Sequence, residues 1–156
     1  MFLRETPIKQ VMSQPVVTVN GRAPFSRVAA LFVENRIRHL PVTDDEGRLV
    51  GLMTKRDLYH TISPRKDIEQ NLEYFREKIK DVAGDFYDKE SLDRYILEKV
   101  MVKDVHTLRE GNTLKEALHL MVEKRIGCVV IVGNEEKVEG IITRYDLLRF
   151  MDEQES

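Results

Sequence analysis

Apolar positions along the chain switch between two periods, and the same succession of periods occurs twice. Residues 16–19 and 105–108 are short β-prone runs, each following a small helix that ends at Met12 or Met101. Phe25, Val28, Ala29 and Phe32 then fall at i, i+3, i+4 and i+7, the spacing of one helical face, with Pro24 suited to the first turn. Leu114, Ala117, Leu118 and Met121 repeat that face behind Asn112, an N-cap candidate. Residues 40–43 and 49–53 read as strands joined by the turn sequence Asp44-Asp45-Glu46-Gly47. Residues 129–132 and 138–142 do the same around Gly133-Asn134. A last helix starts at Thr54 in one copy and Thr143 in the other.

Shifting the chain by 89 positions sets residues 8–62 on 97–151 without a gap. Val11-Met12 then meets Val100-Met101, Thr18 meets Thr107, and Arg36-Ile37 meets Arg125-Ile126. Gly51, Thr54 and Asp57-Leu58 meet Gly140, Thr143 and Asp146-Leu147. Such a register identifies an internal repeat. It predicts an α/β (α+β) fold of two pseudo-symmetric β-α-β-β-α units, each burying an apolar sheet face against helices. The expected boundaries are 7–62 and 96–152, with a helical insertion at 63–95 making up the rest of one module.

The insertion opens on Ser63-Pro64, a helix-start signal. Ile68, Leu72, Phe75, Ile79, Val82 and Phe86 follow at alternating spacings of four and three, the pattern of an apolar seam. That seam fits a helix packed on its own domain and a dimer contact alike. A second short helix is expected from about Glu90 into Val100.

Composition narrows the class. The 42% hydrophobic and 33% charged content suits a solvated domain with a sizeable core. A net charge of −2 with interspersed signs gives no electrostatic reason to expect nucleic acid. No apolar run approaches the roughly 20 residues that span a bilayer, so no membrane partner is expected. The first dozen residues lack the apolar stretch of a secretory signal. With one cysteine, Cys128, no intrachain disulfide can form, and a cytoplasmic location follows as the default.

The chemistry concentrates where strand gives way to helix. Gly51-Leu52-Met53-Thr54-Lys55-Arg56-Asp57 matches Gly140-Ile141-Ile142-Thr143-Arg144-Tyr145-Asp146. Thr-x-x-Asp has a structural reason to exist, since the threonine oxygen can accept from an N3 amide and the acid suits the helix dipole. The same carboxylate can also accept hydrogen bonds from ribose hydroxyls, while helix-start amides with Lys55, Arg56 and Arg144 can meet phosphate. His60, His106 and His119 have no metal-ligand spacing to each other or to Cys128. No P-loop, dinucleotide fingerprint or nucleophile with a nearby base is visible, so no catalytic residue, metal site or required cofactor is expected.

The two Gly-h-h-Thr-x-x-Asp endings (h hydrophobic), the Val-Met openings and Arg36-Ile37-Arg38-His39-Leu40-Pro41-Val42 together resemble a tandem pair of cystathionine-β-synthase-type (CBS) domains. The resemblance covers about residues 7–62 and 96–152. It implies a pseudo-twofold regulatory module that binds AMP, ADP, ATP or S-adenosylmethionine in two clefts, forms a homodimer and acts on a separate protein target. It implies one site joining Thr143 and Asp146 with Val16, Val17 and Thr18, and another joining Thr54 and Asp57 with Val105, His106 and Thr107. Ile37, Leu40 and Ile126 would flank the base, and Arg38 with His39 would reach phosphate. The second copy departs from the pattern, with Gly127-Cys128 in place of Arg38-His39 and Val130 in place of Pro41. Unequal sites, or a single occupied site, are therefore expected. The alternative is a ligand-free interaction or dimerisation domain in which each Thr–Asp pair only caps its helix.

Overall fold

A computed structural model describes residues 2–62 and 89–156. The expected seam at 68–86 and the Ser63-Pro64 start lie outside the described residues. In chain order the elements are α1 (Phe2–Glu5), a 3₁₀ turn (Ile8–Gln10), β1 (Val19–Asn20), α2 (Phe25–Asn35), β2 (His39–Thr43), β3 (Leu49–Thr54) and α3 (Lys55–Ile62). After the undescribed stretch come α4 (Lys89–Leu92), α5 (Leu97–Val100), β4 (Thr107–Leu108), α6 (Leu114–Lys124), β5 (Cys128–Val132), β6 (Val138–Thr143) and α7 (Arg144–Glu155). The fold is mixed α/β, with two three-stranded sheets of the same order, β1-β2-β3 and β4-β5-β6.

Two compact units are present. One comprises Val17–Asp44 and Val50–Lys103, the other Met1–Val16, Asp45–Leu49 and Asp104–Ser156. In the first, Phe25, Val28, Ala29 and Phe32 of α2 are buried with Leu40, Val42, Met53, Leu58 and Leu97, so the predicted helical face is the core face. In the second, Leu114, Ala117 and Met121 of α6 join Val129, Ile131, Ile142 and Leu147. Fully burying side chains of this size contributes roughly 1.5–3 kcal/mol each before conformational entropy is counted.

The units do not follow the repeats, because each repeat's opening segment packs on the other repeat's sheet. Ser13 exchanges backbone hydrogen bonds with Ile141 (2.8 and 3.2 Å), and Val102 does so with Leu52 (2.9 Å both ways). Ile8 N–H also donates to the Asn112 carbonyl at 2.7 Å. Val102 is 89 positions after Ser13, and Ile141 is 89 after Leu52, so the two exchanges are copies of each other.

Local chemistry adjusts several expected boundaries. β1 and β4 are only two residues long, because parallel pairing is confined to Val19 and Asn20 against Val42 and Thr43, and to Thr107 and Leu108 against Val130 and Ile131. Pro24 takes the N-cap of α2 and stands just before the first turn. Thr113, not Asn112, caps α6, through a reciprocal capping box with Glu116. Asn112 instead accepts from Arg109 N–H at 2.8 Å. The short helix expected into Val100 is two helices, α4 and α5. The matched Arg36 and Arg125 end α2 and α6 in the left-handed conformation, with φ of 52° and 53°. Such C-caps are usually glycine, so the arginines carry a backbone cost that the tertiary frame must hold in place.

Candidate functional site

Each sheet ends in a strand that runs straight into a helix, and the predicted Thr–Asp pair stands at that junction. At β3–α3, Thr54 N–H donates to Asp57 Oδ2 at 3.1 Å, Thr54 Oγ1 donates to the same oxygen at 2.7 Å, and Asp57 N–H donates back to Thr54 Oγ1 at 3.1 Å. At β6–α7 the corresponding distances for Thr143 and Asp146 are 2.8, 3.0 and 3.2 Å. The capping role read from the sequence is present in both copies. A carboxylate has about four acceptor positions. Capping through Oδ2 therefore leaves acceptor capacity at Oδ1.

Backbone hydrogen bonds set a second segment beside each junction. Lys55 N–H donates to the Arg38 carbonyl at 2.9 Å, and Arg144 N–H donates to the Gly127 carbonyl at 3.0 Å. Arg38-His39 thus lies next to the start of α3, whereas Gly127-Cys128 takes that place at α7. Arg38 is exposed and His39, the first residue of β2, is half-buried. Lys55 Nζ lies 5.9 Å from the Tyr59 ring centroid, and Arg56 Nε donates to His60 Nε2 at 3.4 Å. Arg144 is exposed and lines a groove between α6 and α7.

The two carboxylates differ. Asp146 is 5% exposed and Asp57 half-buried. Arg149 Nη2 lies 3.8 Å from Asp146 Oδ1, the oxygen less used in capping. His60 holds the corresponding place after Asp57. Arg149 was not singled out by the motif, although its spacing of three from Asp146 on one helix is the signal for such a pair.

Val17 and Thr18 lead into β1, and Val105 and His106 lead into β4, whose first residue is Thr107. Thr18 is exposed, and Val16, Val17, Val105, His106 and Thr107 are half-buried. Val17 and Thr18 belong to a different compact unit from Thr143 and Asp146, and residues 105–107 to a different one from Thr54 and Asp57. Ile37 and Ile126 are half-buried, while Leu40 is in the core.

Burial pushes the Cys128 thiol up to about 12, so it stays protonated and packs as a small apolar residue. Among the described residues no group of three or more His, Cys, Asp and Glu is placed to hold a metal ion. Among the same residues no helix is long and apolar enough to cross a membrane.

The CBS domain family model matches residues 8–64 and 97–153, so the two junctions fall at the same point of two successive matches. The chain belongs to the CBS domain family, as a tandem pair. Protein MJ1426 of Methanocaldococcus jannaschii is 30% identical over 90% of this chain and 88% of its own length. The CBS domain pair of protein MJ0100, solved with 5′-methylthioadenosine and S-adenosyl-L-methionine, superposes with a TM-score of 0.71 at 24% identity, covering 96% of this chain and 98% of that one. CBSX2, solved with AMP, gives a TM-score of 0.71 at 20% identity over 97% of this chain and 99% of its own. Other relatives are larger, and the chain spans only 25% of the homoserine O-acetyltransferase of Methanohalobium evestigatum.

Proposed function

We propose that this chain is a regulatory module that binds an adenosine-containing ligand through its Thr–Asp junctions and acts on a partner protein. The observation that carries the reading is the doubled junction, where a capped carboxylate retains acceptor capacity for ribose hydroxyls and the Arg38 carbonyl or its counterpart is tied to the helix start. Pairs of the same fold are described in complex with S-adenosyl-L-methionine, 5′-methylthioadenosine and AMP, which supports this ligand class.

In this reading Thr54 and Asp57 hold one ribose. Thr143 and Asp146 hold another. Arg38, His39, Lys55 and Arg56 supply positive charge and donors for phosphate at the first. At the second, Gly127-Cys128 replaces Arg38-His39, Arg144 stands near the helix start, and Arg149 competes for Asp146. The first site therefore favours phosphorylated ligands and the second favours uncharged or cationic adenosine derivatives. The ligand regulates by binding two arrangements of the protein unequally. The chain works in the cytoplasm as a homodimer, with no catalytic step of its own.

A second reading, a ligand-free interaction domain, draws on the capping boxes, which suffice to explain both Thr–Asp pairs. Thermal unfolding with AMP, ADP, ATP and S-adenosylmethionine separates the two. A ligand at about 100 times its dissociation constant adds about 2.7 kcal/mol, roughly 5–10 °C for a domain this size. Binding predicts that one compound gives such a rise and that Asp57→Ala or Asp146→Ala abolishes it. No rise with any compound supports the interaction domain, and a rise surviving both substitutions moves the ligand elsewhere.

A further inference from the structure

The first turn of α2 lacks the cap that its copy carries. In the register of the repeat Pro24 stands for Thr113 and Arg27 for Glu116, so both members of the α6 capping box are missing. A helix leaves its first N–H groups without intrahelical partners. Ser26 N–H finds one 67 positions away, donating to Asp93 Oδ1 at 2.9 Å. That hydrogen bond holds the Asp93 carboxyl below the usual carboxylate range.

The contact has neighbours that strengthen it. Asp93 directly follows α4, whose Leu92 is buried in the same core cluster as Phe25, Val28 and Phe32. Two residues further on, the Tyr95 ring packs on Phe25 with centroids 5.3 Å apart. A cap, a buried leucine and an aromatic pair therefore fasten residues 92–95 to one helix end. The 89-residue register extends to this segment, because α1 is the copy of α4 and Leu3 packs on the second core as Leu92 does on the first. There Arg4 takes the place of Asp93, and Thr113 caps α6 from within its own repeat. A capping carboxylate supplied from the insertion is thus a property of the first repeat.

The other end of α2 leads to the first junction. The 11-residue helix ends on left-handed Arg36, and the Arg38 carbonyl two residues later accepts from Lys55 N–H. We propose that residues 92–95 form a latch on the first turn of α2, closed by the Asp93 carboxylate, through which the insertion regulates the first ligand junction and not the second. With the latch open, α2 frays from its first turn and Arg38 and His39 lose part of their fixed placement. The closed latch is the arrangement that binds phosphorylated ligand more tightly. The regulatory effect rests on the ligand reading above, and the latch itself does not.

Native-state hydrogen exchange of the full chain reads the latch, with α6 as the internal folding control, and calorimetric titration with AMP reads its effect. Asp93→Ala is expected to speed exchange about fivefold at the amides of residues 25–27 and 92–95 together and to leave α6 unchanged. In an Asp146→Ala background, where only the first junction is read, it is expected to weaken AMP about fivefold. In an Asp57→Ala background it is expected to change nothing. Asp93→Asn, which keeps an acceptor, should recover most of both losses. Unchanged exchange at residues 92–95 overturns the latch, and so does a uniform rise that includes α6. Faster exchange at both segments with AMP affinity unaltered keeps the latch and overturns its regulatory role. A wild type that binds no AMP counts against the ligand reading, while exchange still decides the latch.

Discussion

The thioether of Met12 occupies the space that a β-carbon on Gly140 would need, and Met101 stands over Gly51 in the same way. The Val-Met openings and the Gly-h-h-Thr endings, separate motifs in the sequence, are therefore two halves of one contact. Because Met12 opens the first repeat and Gly140 lies in the second, each half stabilises the sheet of the other copy. Gly140→Val is expected to lower stability by about 1–3 kcal/mol through overpacking. Met12→Ala in the same chain should recover part of that loss in urea unfolding, since the two substitutions share one cavity. Strict additivity of the pair would contradict the contact.

Removing the cap hydroxyls tests the structural share of the junctions. Thr54→Ala and Thr143→Ala should each cost about 1 kcal/mol, the usual value for losing a helix cap. Asp146→Asn is expected to cost more than Asp57→Asn, because the buried carboxylate of Asp146 also pairs with Arg149. Denaturant midpoints at neutral pH measure both comparisons.

Unequal junctions predict unequal ligand preference. Arg38→Ala is expected to weaken AMP or ATP about tenfold, the scale of one charge-assisted hydrogen bond, and to leave adenosine binding unchanged. Arg149→Ala should strengthen binding at the Thr143–Asp146 site by releasing Asp146 Oδ1. Titration calorimetry at two salt concentrations reads both effects, and two equal, independent sites with identical responses would sink the asymmetry.

Cys128 is expected to resist alkylation. Its thiol is raised from its ordinary value of 9.0 to about 12 by burial, so the folded protein binds the thiol proton more tightly than the unfolded chain. The contribution to stability is complete below about pH 9 and falls as pH rises from there towards 12. At pH 9, iodoacetamide should label the native protein at least about 100-fold more slowly than the urea-unfolded chain, given thiolate control of the reaction. Comparable rates would mean that the strand carrying Cys128 opens readily.

Much of this architecture is legible in the sequence because identical positions do identical work. Phe25, Val28, Ala29 and Phe32 advertise a core face by spacing alone, and Thr54-x-x-Asp57 and Thr143-x-x-Asp146 advertise their caps. What periodicity does not carry is partnership. Nothing in the order of residues says that Ser13 will pair with Ile141, 128 positions away, when the copy-related Leu52 is nearer in the chain. The shortness of β1 is hidden for a similar reason, since residues 16–18 have strand-forming side chains but find no ladder partner beyond Val19. Asn112 and Thr113 are both good caps, and only the reach of Glu116 back to Thr113 selects between them. The exposed face of α7 is hidden in the sequence, because Leu148 and Met151 look like core positions when compared with the buried Tyr59 and Ile62.

The exchange of opening segments has a consequence for synthesis. Residues 7–13 are synthesised well before β6, the strand that receives them. Val129, Ile131 and Ile142 therefore cannot close their core with Ile8 and Met12 until nearly the whole described chain has emerged. The other unit waits only for residues 97–103, so the chain has a built-in order of completion. Until β6 has been made, the apolar side chains of Ile8 and Met12 have nowhere to dock.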